Sequence, residues 1–151
     1  MLQPGVSGPA IELNDLENRA RSLHAELKRG PVVLAFFKIS CPTCQLTFPF
    51  LQRLSGSANV VAVSQDDARD TRDFHGRFGI SIPTLLDSGP KYAASNAYGI
   101  TNVPSIFVIE TNGTISSAFH GFSKAELERL GQRFGVPVFR ETDRAPAMQP
   151  G

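Results

Sequence analysis

The sequence feature that most constrains the fold is an apolar segment, residues 32–38, that leads directly into the only two cysteines of the chain, Cys41 and Cys44. A run that is apolar at nearly every position predicts a central strand buried on both faces. The residues after it predict a helix that begins at Cys41 and continues to about Leu54, with apolar positions at helical spacing. The cysteines are therefore expected where a buried strand meets the first turn of a helix.

The start of this helix predicts the chemistry of the cysteine pair. With Cys41 as the N-cap, Pro42 takes the first helical position, where its missing N–H costs nothing. The backbone N–H of Cys44 then points back at the Cys41 sulfur, and with the positive end of the helix it stabilises a thiolate. We therefore expect Cys41 to be the nucleophile and Cys44 to resolve the mixed disulfide. The active-site loop around them comprises Ser40, Pro42 and Thr43.

Three other interpretations of a C-x-x-C pair are open. Half of a zinc site would need two further ligands, but the chain has no second cysteine pair and its three histidines lack zinc-ligand spacing, so no metal is expected. A structural disulfide across so short a loop would contribute little stability. The pair could also be buried and inert. A βαβ pattern around the cysteines favours the redox interpretation.

Length and charge exclude several classes of protein. A chain of 151 residues is expected to form one domain, and a net charge of +1 gives no electrostatic case for nucleic acid or an anionic membrane. The longest apolar run is too short to cross a bilayer. Residues 1–5 have neither a basic nor a long hydrophobic region, so no signal peptide is visible and a cytoplasmic location is expected; an exported protein without its leader would look the same. No P-loop or Rossmann glycine pattern occurs, and no cofactor is expected.

The other predicted elements follow from local patterns. The chain is expected to form a single domain over residues 1–136, followed by a loose tail over residues 137–151. Asp66 and Asp67 follow the second predicted strand at its carboxyl end, where functional groups gather in open α/β sheets. The elements predicted by periodicity and turn signals are an extended segment (1–14), a helix (15–29), a strand (60–64), a helix (68–78), a short edge strand (83–87), a short helix (91–98), a hairpin (105–110 and 114–120) and a helix from the capping box at Ser123 to Gly135.

The order of these elements, with C-x-x-C at the tip of the first α/β unit, resembles the thioredoxin fold. Pro49, five residues after Cys44, matches the helix-kinking proline of that family. Val103 and Pro104, just before the strand 105–110, are similar to the cis-proline segment that faces the cysteine pair in the superfamily. The resemblance implies an α/β fold with a central mixed sheet flanked by helices, and a groove in which Pro104 holds the substrate backbone.

The branch of the superfamily is indicated by shorter motifs. Residues 4–10 and 83–87, with Tyr98-Gly99-Ile100 before Val103, resemble the TlpA-type reductases and the peroxiredoxin-like AhpC/TSA group. The extra strand and helix at about 83–98 match the central insertion of that branch. The resemblance covers roughly residues 4–135.

The chain departs from the family at positions that usually handle protons. Ser40 stands where related reductases commonly carry tryptophan, Ala35 where thioredoxin has a buried aspartate, and Thr47 where some cytochrome-maturation reductases carry glutamate. Lys38 is placed to lower the pKa of Cys41, and Asp66 or Asp67 to accept a proton. The alternative for each of these three residues is an ordinary solvated charge.

Three functions remain in competition. The first is a thiol–disulfide oxidoreductase that reduces protein or small-molecule disulfides and is recycled by an unidentified electron donor. The second is a dithiol hydroperoxide peroxidase, although Lys38 and Leu34 occupy the threonine and proline positions of the usual AhpC/TSA pattern. The third is a non-catalytic thioredoxin-like binding module. A monomer or a weak dimer is expected.

Overall fold

A five-stranded mixed sheet forms the centre of the computed structural model, which describes all 151 residues. In chain order the elements are β1 (Glu12–Asn14), β2 (Ala20–Ser22), α1 (Leu23–Leu27), β3 (Val32–Phe37), α2 (Pro42–Leu54), β4 (Asn59–Ser64), α3 (Ala68–Phe78), β5 (Thr84–Leu86), α4 (Ala93–Ala97), β6 (Ser105–Ile109), β7 (Ile115–His120), β8 (Phe122–Ser123), α5 (Lys124–Phe134) and β9 (Met148–Gln149). The strand order in the sheet is β5-β4-β3-β6-β7. The α/β fold with a mixed sheet, predicted from the sequence, is confirmed, as is β5 as an edge strand.

The middle strand, β3, carries the two halves of the hydrophobic core. All six of its residues are buried. Successive side chains of a strand point to opposite faces, so Phe37 joins one core cluster with residues of α2, α3 and α5. Phe36 joins the other, with Tyr98 and Phe107. Burial on both faces explains why β3 is apolar at every position.

The directions of the strands determine where a site can form. β3 runs parallel to β4 and antiparallel to β6. The carboxyl ends of β3 and β4 and the amino end of β6 therefore meet at one edge of the sheet. That edge brings together Cys41 after β3, Asp66 after β4 and Pro104 before β6.

The predicted helix over residues 15–29 is wrong in its first half. Residues 12–22 form the antiparallel hairpin of β1 and β2, and only Leu23–Leu27 is helical. The cause is Asp15, whose carboxylate accepts hydrogen bonds from the N–H groups of Glu17 and Arg19 at 2.9 and 3.0 Å. Aspartate side chains that bond the nearby backbone in this way stabilise a turn in place of a helix.

The segment predicted to be a loose tail, residues 137–151, is packed against the domain. Val138 is 3% exposed, and the ring of Phe139 lies 4.6 Å from that of Phe50. Arg53 donates to the Asp143 carboxylate at 2.6 Å, and β9 pairs with β8. The segment lacks a helical or strand period, so its contacts with α2 had no local signal in the sequence.

No helix of the protein is long and apolar enough to span a bilayer.

Candidate active site

Cys41 is the N-cap of α2, in the geometry that the sequence predicts. Its backbone is extended, Pro42 opens the helix, and the N–H of Cys44 donates to the Cys41 sulfur at 3.1 Å. Hydrogen bonds from the Cys44 thiol and from the backbone of Cys44 and Thr43 outweigh partial burial and lower the pKa of Cys41 to about 6. At neutral pH Cys41 is therefore predominantly a thiolate, the nucleophilic form of cysteine.

Cys44 lies one turn further along α2, and its pKa is shifted in the opposite direction to that of Cys41. Its side chain has no exposed surface. Burial is the largest cause that raises the pKa of Cys44, followed by its hydrogen bond to Cys41, and the negative charges of Cys41 and Asp66 act in the same direction. The two sulfurs are free thiols in this structure. The site thus holds one thiolate at its surface and one protonated thiol beneath it.

The segment before β6 faces the Cys41 sulfur. The peptide bond between Val103 and Pro104 is cis, as the resemblance to thioredoxins implies. Sγ of Cys41 lies 3.4 Å from the carbonyl oxygen of Val103, to which it donates when it is protonated, and Pro104 is buried beside it. The sheet therefore brings the predicted groove residues to the predicted nucleophile across 62 residues of chain.

The three charged residues singled out in the sequence occupy different positions. Asp66 is half-buried at the site, where its Oδ2 accepts a hydrogen bond from the N–H of Ile39 at 2.8 Å. Asp67 is exposed and caps α3, accepting from the N–H of Asp70 at 2.9 Å. The side chain of Lys38 is exposed, and the groups that lower the pKa of Cys41 belong to Cys44 and Thr43. Of the three, Asp66 is the one whose charge acts on a cysteine.

The positions at which the chain departs from thioredoxin carry no ionisable group. Ala35 and Thr47 both have no exposed surface. The Thr47 hydroxyl donates to the carbonyl oxygen of Thr43 at 2.7 Å, a bond within α2. Ser40 is exposed on the active-site loop. A proton released by Cys44 therefore has no acceptor at these sites.

Sequence reasoning missed the end of the packed C-terminal segment, which lies against the active-site loop. The hydroxyl of Thr43 donates to the carbonyl oxygen of Pro150 at 2.6 Å and accepts from Nε2 of Gln149 at 2.9 Å. Thr43 is only 4% exposed, although the other two residues of the active-site loop, Ser40 and Pro42, are exposed. Nothing in the local sequence of residues 148–151 signals this contact.

The protein contains no group of three or more histidine, cysteine, aspartate or glutamate residues that could hold a metal ion.

Residues 3–132 match the protein-family model described as Redoxin. The chain belongs to the Redoxin family. The match includes both cysteines and every element from β1 to α5, apart from the last two residues of α5. The predicted placement in the thioredoxin-like superfamily, in its TlpA and AhpC/TSA-type branch, is confirmed.

Curated relatives agree with this placement. The thiol-disulfide oxidoreductase ResA of Halalkalibacterium halodurans is 30% identical over 127 residues, which cover 80% of this chain and 70% of the relative. The protein of the same name from Geobacillus thermodenitrificans is 28% identical over 123 residues, 78% of this chain and 69% of the relative.

Solved structures share the fold of this Redoxin-family chain at low identity. The thioredoxin domain of a thiol-disulfide oxidoreductase from Bacteroides vulgatus has a TM-score of 0.77 at 20% identity and covers 89% of this chain and 99% of its own. Peroxidoxin BcpB from Mycobacterium tuberculosis has a TM-score of 0.72 at 21% identity, with 88% and 94% covered. A thiol-disulfide oxidoreductase and a peroxidoxin thus share this fold, and the chemistry must be argued from the site.

Proposed function

We propose that this protein is a thiol–disulfide oxidoreductase that reduces disulfides through Cys41 and Cys44. The observation that carries the proposal is the cap of α2, where the N–H of Cys44 donates to the Cys41 sulfur at 3.1 Å and helps to lower its pKa to about 6. The family and the names of the curated relatives support the same chemistry.

The first step is attack by the Cys41 thiolate on one sulfur of the substrate disulfide. A bond forms between that sulfur and Sγ of Cys41, the substrate S–S bond breaks, and the leaving sulfur departs as a thiolate that takes up a proton from water. Val103 and Pro104 line the approach, because the carbonyl oxygen of Val103 lies 3.4 Å from the attacking sulfur.

The second step releases the reduced substrate. Cys44 gives its proton to Asp66, the carboxylate whose charge acts on it, and attacks Sγ of Cys41. The Cys41–Cys44 disulfide forms and the remaining substrate sulfur leaves as a thiolate. Two electrons have then passed from the cysteine pair to the substrate. A separate dithiol donor must return them for the next cycle.

The reducing direction is favoured by the pKa of Cys41. A thiolate that is stabilised too strongly makes the reduced protein the stable form and the disulfide a strong oxidant, as in DsbA, whose cysteine has a pKa of about 3.5. A pKa of about 6 lies nearer to the value of about 7 in thioredoxin. The predicted cytoplasmic location would supply the reducing surroundings that this direction needs.

The peroxidase alternative has less support from the site. In the usual AhpC/TSA pattern a threonine stands three residues before the peroxidatic cysteine, and here that position is Lys38, whose side chain points to solvent. The proline position of the pattern is Leu34, which is fully buried in β3. The hydroxyl that would accompany a peroxide at Cys41 is therefore absent from this position.

A redox titration against a dithiothreitol or glutathione series tests the proposal. We expect an intramolecular disulfide with a reduction potential near that of thioredoxin, about −270 mV. A potential near −120 mV, the value of DsbA, would reverse the proposed direction. Failure to form the Cys41–Cys44 disulfide at any potential would overturn the two-cysteine mechanism.

Trapping identifies the roles of the two sulfurs. Cys44→Ser leaves the first step intact and removes the second, so a covalent complex with a disulfide substrate should accumulate through Cys41. Cys41→Ser, the matched control, should form no complex, because the buried Cys44 thiol is protonated and unexposed. Equal trapping by both variants would contradict the assignment of Cys41 as the nucleophile.

A further inference from the structure

The last residues of the chain form a segment that returns across the fold to the active site. This return segment, residues 146–151, follows the Arg53–Asp143 ion pair. Its strand β9 pairs antiparallel with β8, Gln149 opposite Phe122 and Met148 opposite Ser123, and the N–H of Lys124 donates to the carbonyl of Ala147. The return segment thus lies as an extended strand along β8, with the hydrogen-bonded pairing of an antiparallel sheet.

Beyond β9 the return segment contacts the residue between the two cysteines. Pro150 and Gln149 occupy both hydrogen-bonding functions of the Thr43 hydroxyl, at 2.6 and 2.9 Å. Thr43 lies in the first turn of α2 and is 4% exposed beneath these contacts. The segment itself stays shallow, since Met148 is 76% exposed.

The return segment also touches the opposite wall of the groove. A Cβ atom on Gly151 would clash with the carbonyl oxygen of Val103, the oxygen that faces the Cys41 sulfur. A Cβ atom on Gly121 would lie 2.7 Å from the carbonyl oxygen of Gln149. Gly151 and Gly121 therefore allow the backbone of the return segment to lie close to the backbone of the domain on both sides.

We infer that the return segment occupies the groove that an extended segment of a protein substrate must enter, so that it competes with protein substrates for Cys41. The inference rests on the proposed function and adds a regulation of the same site. Val103 lies against the Cys41 sulfur and Thr43 is in the helical turn that Cys41 caps, so we expect the residues beside a substrate disulfide to lie over both. Those two residues are the ones that Gly151 and Pro150 cover.

The same contacts distinguish large substrates from small ones. Cys41 itself remains half-exposed, so a small disulfide needs no displacement of the return segment. A protein segment binds only after displacement, and its apparent affinity falls in proportion to the fraction of molecules in which the groove is open. The return segment is held mainly by a few hydrogen bonds at the surface, each with a modest net contribution, so displacement by a substrate is feasible.

The experiment compares the full chain with a chain that ends at Ala145, which keeps Asp143 and Phe139 and therefore the anchor on α2. Rates of reduction are measured for 2-hydroxyethyl disulfide and for a peptide of about ten residues joined by a disulfide to a single cysteine. Without the return segment the peptide disulfide should react at least about fivefold faster, whereas the rate with 2-hydroxyethyl disulfide should change less than about twofold.

A point variant tests the same contact in the intact chain. Gly151→Val places a side chain against the Val103 carbonyl. Like the truncation, it should accelerate reduction of the peptide disulfide. Gly76→Val is the matched control, because a Cβ at Gly76, on the exposed surface of α3, meets no atom within 4 Å. A synthetic peptide with the sequence of residues 144–151 should slow the truncated chain on the peptide disulfide and leave the small disulfide unaffected.

The outcomes separate the inference from the proposed function. Equal rates with the peptide disulfide for the full chain, the truncated chain and Gly151→Val would overturn the competition while the oxidoreductase function stands. A truncation that accelerates both disulfides equally would also overturn it, because the segment would then shield Cys41 from all reagents. If neither form reduces either disulfide, the proposed function itself fails.

Discussion

Asp66 reaches from the end of β4 to the loop that precedes Cys41, where its Oδ2 accepts a hydrogen bond of 2.8 Å from the N–H of Ile39. The carboxylate is half-buried and its charge raises the pKa of Cys44. Cys44 must nevertheless lose a proton before it can attack the mixed disulfide. With Ala35 and Thr47 at the positions that carry acids in related proteins, Asp66 is the carboxylate best placed to receive that proton.

Asp66→Asn should therefore slow the second step of the reaction and spare the first. Loss of a general base typically costs on the order of 100-fold, and the asparagine oxygen still accepts the bond from Ile39. Single-turnover kinetics that follow the mixed disulfide should show that it persists longer in the variant.

The neighbouring carboxylate provides the control for this prediction. Asp67→Asn should have no effect on either step, since Asp67 caps α3 and asparagine is an equally good N-cap. Faster resolution in Asp66→Asn would mean that Asp66 acts on Cys44 only by repulsion, because removal of a negative charge eases the ionisation of a nearby thiol.

The pH dependence of alkylation should report the pKa of Cys41. We expect the rate of reaction with iodoacetamide to rise through a midpoint of about pH 6, because Cys41 is the accessible thiol and reacts as the thiolate. Cys44→Ala removes the side-chain hydrogen bond that contributes most to this lowering, so the midpoint should rise by about one unit. Cys44→Ser, which keeps a donor, should stay near the original midpoint; a serine variant as high as the alanine variant would contradict this cause.

The same pKa makes the stability of the reduced protein depend on pH. The pKa of Cys41 is lowered from 9.0 to about 6 by folding, so its thiolate contributes stability that is complete above about pH 9 and is lost as the pH falls to 6. Free energies of unfolding from urea titrations, measured for the reduced protein and for Cys41→Ser, should therefore differ most at high pH. A difference that stays constant between pH 9 and pH 5.5 would contradict the lowered pKa.

The part of this site that follows from the sequence is the part that depends on neighbouring residues. The apolar run of β3, Pro42 at the helix start and the spacing of Cys41 and Cys44 together predict an N-cap thiolate, since each property depends on a few adjacent positions. The resemblance to thioredoxins then places Val103 and Pro104 opposite the cysteines. The structure has each of these features.

The features that the sequence did not predict depend on contacts between distant residues. The stripe of Leu16, Ala20, Leu23 and Leu27 is compatible with a helix, but the Asp15 carboxylate binds the backbone and turns the chain into a hairpin. Residues 146–151 have no period, and they bind across more than 100 residues of chain through the hydroxyl of Thr43. Local pattern carries no information about such pairings.

Phe48 should be a major source of stability for α2 and for the site above it. Its side chain has no exposed surface and packs with a centroid distance of 4.4 Å on Phe37 and 5.7 Å on Phe74. Phe48→Ala should lower the free energy of unfolding by about 3–5 kcal/mol, as expected when a buried ring leaves a cavity. Phe134→Ala, at the partly exposed end of α5, should lower the free energy of unfolding clearly less in the same urea titrations. Equal losses in the two variants would show that Phe48 is not a major contributor to the core.

Asp87 should stabilise the insertion formed by β5 and α4, because its carboxylate binds backbone N–H groups of that insertion. It is 3% exposed, and its two carboxylate oxygens accept hydrogen bonds from the N–H groups of Ala94 and Ser95 at 3.0 and 2.7 Å. Asp87→Asn has the same shape but turns one acceptor into an amide donor that faces an N–H, so the free energy of unfolding should fall by about 1–3 kcal/mol. The rate of Cys41 alkylation at neutral pH should stay unchanged, since β4 separates β5 from β3, the strand that leads to Cys41. A variant with native stability would show that these N–H groups find water as readily as a carboxylate.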